Sequence, residues 1–314
     1  MKKKCQYRIR NWSDYNRSLT NRGSLTFWIS QDLIDNWLED QLTGERGSSP
    51  TYTDAAIQAM ASIKFIFHQA GRQTSGLVAS IFELMKVNLP VPDHSTLSRR
   101  MVGLEVELPL KASSNGRHIV VDSTGLKVYG EGEWKVRTHG VSKRRTWRKL
   151  HLFVDAATGE IIVSGASGND VSDGGMFVQM IEQTDQEIDQ VSCDGAYDQK
   201  RVYEAIEKKK IGKAAIPPQN NAKIWKHGNS TGKKLLRDEN LRHIRRTGRK
   251  KWKQESNYHQ RSLAETAMFR YKTIFTDKLQ SRKQENQFQE IHIKSALLNQ
   301  MTHLGMPDSY KVKI

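Results

Sequence analysis

The spacing of apolar positions changes along the chain. Over residues 52–101 they recur at helical intervals, every three or four residues. From about residue 117 they form short runs bounded by turn residues, which is typical of strands. The pattern predicts a small, mainly helical region at residues 1–110, followed by an α/β region at residues 111–314.

The first region is predicted to hold a short strand and several helices. The run Ser24–Ile29 favours the strand, and a helix from Gln31 to Glu39 follows it, with Ser30 as its N-cap. Three further helices are predicted between residues 52 and 101, the first of them closed by Gly71.

The last of these helices is short and polar, and it carries Arg99 and Arg100 behind a cap at Asp93 or Ser95. Two helices, a turn and a basic helix are the arrangement of a helix-turn-helix unit that reads the major groove of DNA. An ordinary helical bundle with a basic last turn explains the pattern equally well, because helix-turn-helix units have weak sequence signatures. Arg99 and Arg100 are therefore candidate DNA contacts, with this alternative open.

The second region is predicted to form a mixed sheet with helices on its faces, because a hairpin is followed by strand–helix–strand crossovers. The predicted elements are a strand at 118–121, a hairpin at 150–164, a helix at 172–184, a strand at 190–193, a helix at 199–208 and a strand at 213–216. Asp122 and Asp194 directly follow two of these strands, so they emerge side by side if the strands are neighbours.

The charge of the chain favours a polyanionic partner. Its 314 residues include 50 Lys and Arg against 34 Asp and Glu, for a net charge of +16. Nucleic acid is favoured over a membrane, because no apolar run approaches the ~20 residues that a membrane span needs. The polar residues behind the N-terminal lysines argue against a signal peptide. Two unpaired cysteines are typical of the reducing cytoplasm, where we expect this protein.

Much of the charge lies in residues 219–254, where twelve Lys and Arg face only Asp238 and Glu239. Trp225 and Trp252 are interleaved with the cations, and cations with stacking aromatics suit a channel for DNA ends. A solvated or disordered charge run is the alternative. A second cluster spans Lys143–Lys149. The candidate DNA contacts of the first segment are Arg245, Arg246, Arg249, Lys250 and Lys251.

Converging carboxylates are what two-metal phosphodiester chemistry requires. Asp122 and Asp194 are candidates, although a single Asp behind a strand is more often a turn former. Turn formation or helix capping accounts for the other aspartates nearby, which are Asp155, Asp170, Asp173 and Asp198. The histidines have no zinc-ligand spacing, and a structural role is predicted for those near these acids, which are His139, His151 and His259.

A third carboxylate has a distinctive set of polar neighbours. The positions concerned are Tyr258, Arg261, Glu265 and Lys272. A regular helix places all four within about 60° on one face, which suits a metal ligand surrounded by phosphate-binding groups. The spacing alone also fits a solvated face with an ordinary Arg261–Glu265 ion pair.

Together these residues resemble the signature of DDE transposases of bacterial insertion sequences. The segments Val121–Lys127 and Cys193–Asp198 are similar to those around the family's first two acids. Tyr258-x2-Arg261-x3-Glu265-x6-Lys272 matches the family's Y-(2)-R-(3)-E-(6)-K motif without a deviation. The resemblance covers most of the chain, from Ser24 to the helix before Met306 and Pro307.

The resemblance implies an RNase H-like catalytic domain at residues 111–314. It implies that Asp122, Asp194 and Glu265 are catalytic and hold two Mg²⁺ ions, for which Mn²⁺ can substitute. Tyr258, Arg261 and Lys272 are then expected to grip the transposon end.

The implied partners are double-stranded DNA, as terminal inverted repeats and as target, and a second copy of the chain in the complex that pairs both ends. The implied location is the bacterial cytoplasm, close to the nucleoid. Two alternatives stay open, namely a nuclease of the same fold that cuts without joining and a non-catalytic DNA-binding repressor.

Overall fold

The computed structural model describes residues 6–40, 44, 47, 49–128, 147–226 and 234–312. These residues form two compact units. The first comprises the described residues up to Glu107 together with those from Ala296 onwards, and the second is Leu108–Ser295. The division differs from the predicted one in giving the C-terminal residues to the first unit.

The first unit is mainly helical. Its elements before Glu107 are β1 (Gln6–Ile9), α1 (Trp12–Asn21), α2 (Leu25–Trp28), α3 (Gln31–Asp35), α4 (Asp54–Ile66), α5 (Gly71–Leu84) and α6 (His94–Met101). The caps of three helices come from short polar side chains, since Ser30, Thr53 and Asp93 each accept a backbone N–H of the first turn. Asp93, rather than Ser95, is therefore the cap of α6.

Two predictions for this unit are wrong. Ser24–Ile29 is not a strand, because α2 buries Trp28 and its indole N–H donates to the carbonyl of Arg22 at 2.9 Å. Gly71 does not close α4 but begins α5, where an added Cβ would lie 3.1 Å from the Cβ of His94. The left-handed residue behind α4 is His68, with φ of 54°.

The second unit contains the expected mixed sheet and its flanking helices. Its elements are β2 (Arg117–Val128), β3 (Trp147–Asp155), β4 (Ile161–Ser167), α7 (Asp173–Gln183), β5 (Ile188–Ser192), α8 (Lys200–Lys208), β6 (Lys213–Ala215), α9 (Leu236–Thr247), α10 (Arg249–Glu255), α11 (Ser262–Phe275) and β7 (Lys278–Leu279). Two elements follow in the chain, α12 (Gln284–Leu304) and β8 (Ser309–Val312). Strand β8 belongs to the first unit and pairs antiparallel with β1.

The sheet of the second unit has the strand order β4-β3-β2-β5-β6, and β7 pairs with the end of β2. Strand β3 runs antiparallel to β2 and β4, whereas β5 and β6 run parallel to β2. A buried apolar cluster joins Val121 of β2 to Phe177 of α7 and Ile206 of α8. Because side chains alternate along a strand, Asp122 lies on the opposite face from Val121.

Strand β2 is much longer than predicted, so Asp122 lies within the strand and not at its end. The residues beyond Asp122 continue to pair with β3, as far as Lys127 with Trp147. Lys127 and Val128 also pair with β7. This pairing extends the strand beyond the apolar run 118–121 on which the prediction was based.

Candidate active site

Asp122 lies on β2, and Asp194 lies just beyond the end of the neighbouring parallel strand β5. The register pairs Val120 with Ser192, so the two aspartates, each two residues further along, stand at the same level. Asp194 follows the end of β5, and its side chain accepts the backbone N–H of Ala196 at 2.9 Å, which caps a short 3₁₀ turn. The neighbouring strands that the sequence required are present.

Glu265 reaches the same place from α11, which packs against β2 and β3. The link between the helix and the sheet is Arg261. Its guanidinium donates to Asp122 Oδ2 at 3.4 Å through one nitrogen and to Glu265 Oε1 through another. Glu265 is exposed, whereas Asp122 and Arg261 are half-buried.

The pKa of Asp122 is affected by both of the other acids. Burial raises the pKa of Asp122, and the charges of Asp194 and Glu265 raise it further. The backbone N–H of Ser123 and the guanidinium of Arg261 lower it, with a smaller total effect. Asp194 and Glu265 therefore both act on the charge of Asp122, and Arg261 contacts Asp122 and Glu265.

Tyr258 and Arg261 do not lie on a regular helix. They belong to a 3₁₀ turn, Tyr258–Arg261, which follows Asn257 at φ of 54°, and the α-helix begins at Ser262. The single helical face predicted for all four signature residues is therefore wrong for its first turn. Burial raises the pKa of the Tyr258 phenol, on which the charges of Arg261 and Asp194 also act.

Lys272 is held against β2. Its ammonium donates to the hydroxyl of Thr124 at 2.6 Å. Thr124 lies two residues beyond Asp122, on the same face of the strand. The sequence reasoning missed Thr124, although its alternation with Asp122 was a usable signal.

Gln190 is a second residue that the sequence reasoning missed. It lies buried in β5, and its amide donates to the backbone carbonyl of Ser256 at 2.7 Å. Ser256 precedes the turn that carries Tyr258 and Arg261. Asp189 and Ser192 of the same strand are also polar, so the sequence pattern did not set Gln190 apart.

The basic segment forms helices α9 and α10. Four of its predicted contacts are exposed and constitute what we term the exposed basic face, namely Arg245, Arg246, Lys250 and Lys251. Arg249 is half-buried and donates to the carbonyl of Pro218 at 2.9 Å. The second cluster is Lys143–Lys149, and its residues 143–146 lie outside the described part of the chain.

The two tryptophans of this segment have different environments. Trp252 is only 1% exposed and donates to Asn240 Oδ1 at 3.2 Å, so the expected base stacking is wrong for this residue. Trp225 is 41% exposed, and the guanidinium of Arg237 lies 3.9 Å from its ring centroid. Arg237 is buried in an ion pair with Asp198 at 2.6 Å, which gives Asp198 a structural role beyond the predicted cap.

Arg99 and Arg100 also differ. Arg100 donates to Asp54 Oδ1 at 2.7 Å and to the carbonyl of Tyr52 at 3.0 Å, so it ties α6 to the start of α4. Arg99 is exposed and contacts Thr96 of its own helix at 3.5 Å. Of the pair, Arg99 has the side chain that is accessible to a partner.

The donor set at the three carboxylates suits a hard divalent cation such as Mg²⁺, which prefers oxygen ligands. In the part of the chain that the structure describes, no three His, Cys, Asp or Glu side chains are close enough to hold a metal ion together. Arg261 spans two of the three acids. The three carboxylates are ligands of the kind that Mg²⁺ prefers, and the guanidinium of Arg261 lies between two of them.

A mixed sheet with acids on its two central parallel strands, and a third acid on the helix packed against it, defines an RNase H-like α/β domain. The chain belongs to the DDE transposase family. A family model described as a transposase DDE domain matches residues 113–300, and a second with the same description matches residues 20–131. No solved structure matches the chain. Membership of this family implies DNA binding and dependence on divalent metal ions.

The described helices include none that is both long and apolar enough to cross a membrane.

Proposed function

We propose that this protein cuts DNA at the ends of its transposable element and joins the resulting 3′-OH groups to target DNA. The observation that carries the proposal is the placement of Asp122 and Asp194 at the same level of neighbouring strands, with Glu265 joined to Asp122 through Arg261. Three acids from two strands and one helix supply the oxygen ligands that two-metal phosphoryl transfer needs.

In this proposal, Asp122, Asp194 and Glu265 hold Mg²⁺, with Mn²⁺ as a substitute. The bound ions supply activation of the attacking oxygen and stabilisation of the leaving oxygen. Asp122 benefits most from a cation, because burial and two acidic neighbours disfavour its charge. Glu265 is the exposed ligand and the one nearest to incoming DNA.

The DNA end is proposed to lie along α11 and the turn that precedes it. Lys272, fixed by Thr124, and the phenol of Tyr258 flank the acids and offer phosphate-binding groups. The exposed basic face adds contacts to the DNA backbone further from the cut. Because two ends must be processed together, the active form is a homodimer that pairs both inverted repeats.

The decisive test replaces each acid by its neutral isostere, as Asp122→Asn, Asp194→Asn and Glu265→Gln. We expect each variant to lose cleavage of a duplex carrying the element's terminal sequence, while circular dichroism and DNA binding persist. Asp189→Asn is the matched control, because Asp189 is an exposed acid on β5. Cleavage at the wild-type rate by any of the three variants contradicts that residue's assignment.

A strand-transfer assay separates the proposal from its alternatives. With Mg²⁺ and a pre-cut terminal duplex, the wild-type protein is expected to join the 3′-OH to a plasmid target. Cutting without joining would identify a nuclease of the same fold. Binding without cutting would identify a repressor.

A further inference from the structure

Arg261 occupies a position that no other candidate DNA contact shares. Its guanidinium bridges Asp122 of the sheet and Glu265 of the helix, two of the three proposed metal ligands. The side chains of Arg261 and Asp122 are only 21% and 20% exposed, whereas that of Glu265 is 54% exposed, so the bridge runs from the interior of the site to its surface.

The bridge uses the atoms that a metal ion would need. Asp122 Oδ2 and Glu265 Oε1 are carboxylate oxygens, and each is engaged by an N–H of the guanidinium. A carboxylate lone pair that accepts such a hydrogen bond is not free to coordinate Mg²⁺. Each carboxylate keeps further lone pairs, but the guanidinium lies between the two acids, so its charge and bulk oppose a metal ion that binds both of them.

A DNA phosphate is the natural alternative partner for Arg261. A guanidinium binds phosphate and carboxylate through the same planar pair of N–H groups, so it cannot serve both acids and a phosphate fully. Lys272 is placed differently, because its ammonium donates to the neutral hydroxyl of Thr124. Lys272 can therefore contact DNA without releasing either acid.

We propose that Arg261 couples DNA binding to metal binding. Without DNA it neutralises Asp122 and Glu265 and opposes the entry of a metal ion, and a phosphate of the DNA end draws it away and frees both acids. The inference rests on the proposed function, because it takes these acids as the metal ligands. Coupling of this kind is reciprocal, so bound metal strengthens DNA binding by the same factor.

The test measures Mn²⁺ binding by the full-length protein, from the electron paramagnetic resonance signal of free Mn²⁺. Without DNA, we expect Arg261→Gln to bind Mn²⁺ about tenfold more tightly than wild type, a typical size for a coupling between sites. Arg261→Lys keeps the charge but loses the planar pair of N–H groups. Its Mn²⁺ affinity is expected to lie between those of wild type and Arg261→Gln. Lys272→Gln removes the same charge from α11, which directly follows Arg261, and controls for a general electrostatic effect.

The second arm adds a terminal-sequence duplex with dideoxy 3′ ends, which cannot be joined. The duplex is expected to tighten Mn²⁺ binding by wild type about tenfold and to have little effect on Arg261→Gln, since the competing cation is absent. An affinity of Arg261→Gln equal to or below that of wild type would overturn the proposal. The proposal would also be overturned if, without DNA, Arg261→Gln raised the Mn²⁺ affinity no more than Lys272→Gln does.

Failure of this inference is distinguishable from failure of the proposed function. Asp122→Asn in the Arg261→Gln background should abolish the Mn²⁺ binding. If binding depends on Asp122 but not on Arg261, the coupling is wrong and the metal site stands. If neither residue affects Mn²⁺ binding, both proposals are wrong.

Discussion

The amide of Gln190 donates a 2.7 Å hydrogen bond to the backbone carbonyl of Ser256 and so ties the strand before Asp194 to the turn before Tyr258. The same amide contacts the hydroxyl of Ser192 at 3.3 Å, and that hydroxyl contacts His118 Nε2 at 2.8 Å. A buried polar network therefore joins both acid-bearing strands to the segment that carries Arg261. We propose that this network positions the candidate site residues without contacting them.

Gln190→Leu should separate positioning from binding. Loss of the amide leaves the carbonyl of Ser256 without its partner, at a cost of about 1–3 kcal/mol in the free energy of unfolding. We expect DNA cleavage to fall by roughly tenfold to a hundredfold, because small displacements of reacting groups carry penalties of that order. DNA affinity should change little. Gln254→Leu, at an exposed position of α10, is the control. Unchanged cleavage by Gln190→Leu would show that the network does not position the turn.

Local patterns predicted most of the sheet, and long-range contacts explain what they missed. Apolar runs with turns between them predicted the hairpin β3–β4 and the crossover through α8, because both depend on residues close in sequence. The last two residues of β2, Lys127 and Val128, pair with β7, about 150 residues away. The hydrogen bond from Gln190 to Ser256 likewise spans 66 positions. Neither contact leaves a periodicity that could be read along the chain.

The candidate acids were predictable because a motif of fixed spacing marks them, whereas their environment was not. Nothing in the spacing from Tyr258 to Lys272 distinguishes a 3₁₀ turn from a first α-helical turn. Composition also failed to separate Trp252, which is buried, from Lys251, which is exposed beside it. Such distinctions arise from packing between helices rather than from local sequence.

The exposed basic face should contribute to the salt dependence of DNA binding. Lys250→Gln with Lys251→Gln is expected to reduce the slope of log K against log salt by up to about two, because each phosphate contact contributes roughly one unit. The measurement is a titration of duplex DNA over a series of salt concentrations. Lys200→Gln with Lys208→Gln removes two exposed lysines from α8 as the control. An equal reduction by both pairs would assign the effect to net charge alone.

His151 should destabilise the protein in acid. Burial lowers the pKa of His151 to about 4, and its ring contacts the hydroxyl of Ser167 at 2.8 Å. The unfolded chain takes up this proton near pH 6.5 and the folded chain only near pH 4, so stability is lost as pH falls through that window. We expect the stability advantage of wild type over His151→Gln to shrink by about 3 kcal/mol between pH 7 and pH 4. Urea unfolding at several pH values measures it, and a constant difference would contradict the buried neutral histidine.

Arg99 and Arg100 should have separable effects if recognition of the transposon ends lies within residues 1–110, as we propose. Arg100 bridges to Asp54 and Tyr52, so Arg100→Ala should lower the free energy of unfolding by about 1 kcal/mol. Arg99 is exposed, so Arg99→Ala should leave stability within about 0.5 kcal/mol of wild type.

In competition between terminal-repeat and scrambled duplexes, Arg99→Ala should cost about 1–3 kcal/mol of discrimination, the range of one contact to a base edge. Arg72→Ala, an exposed arginine of α5, controls for the loss of a charge in the same unit. A phosphate contact by Arg99 would instead weaken binding to both duplexes equally, because phosphates carry no sequence information. If Arg99→Ala keeps full discrimination and loss of the exposed basic face removes it, the reader of the ends lies around Arg245 and the N-terminal assignment is wrong.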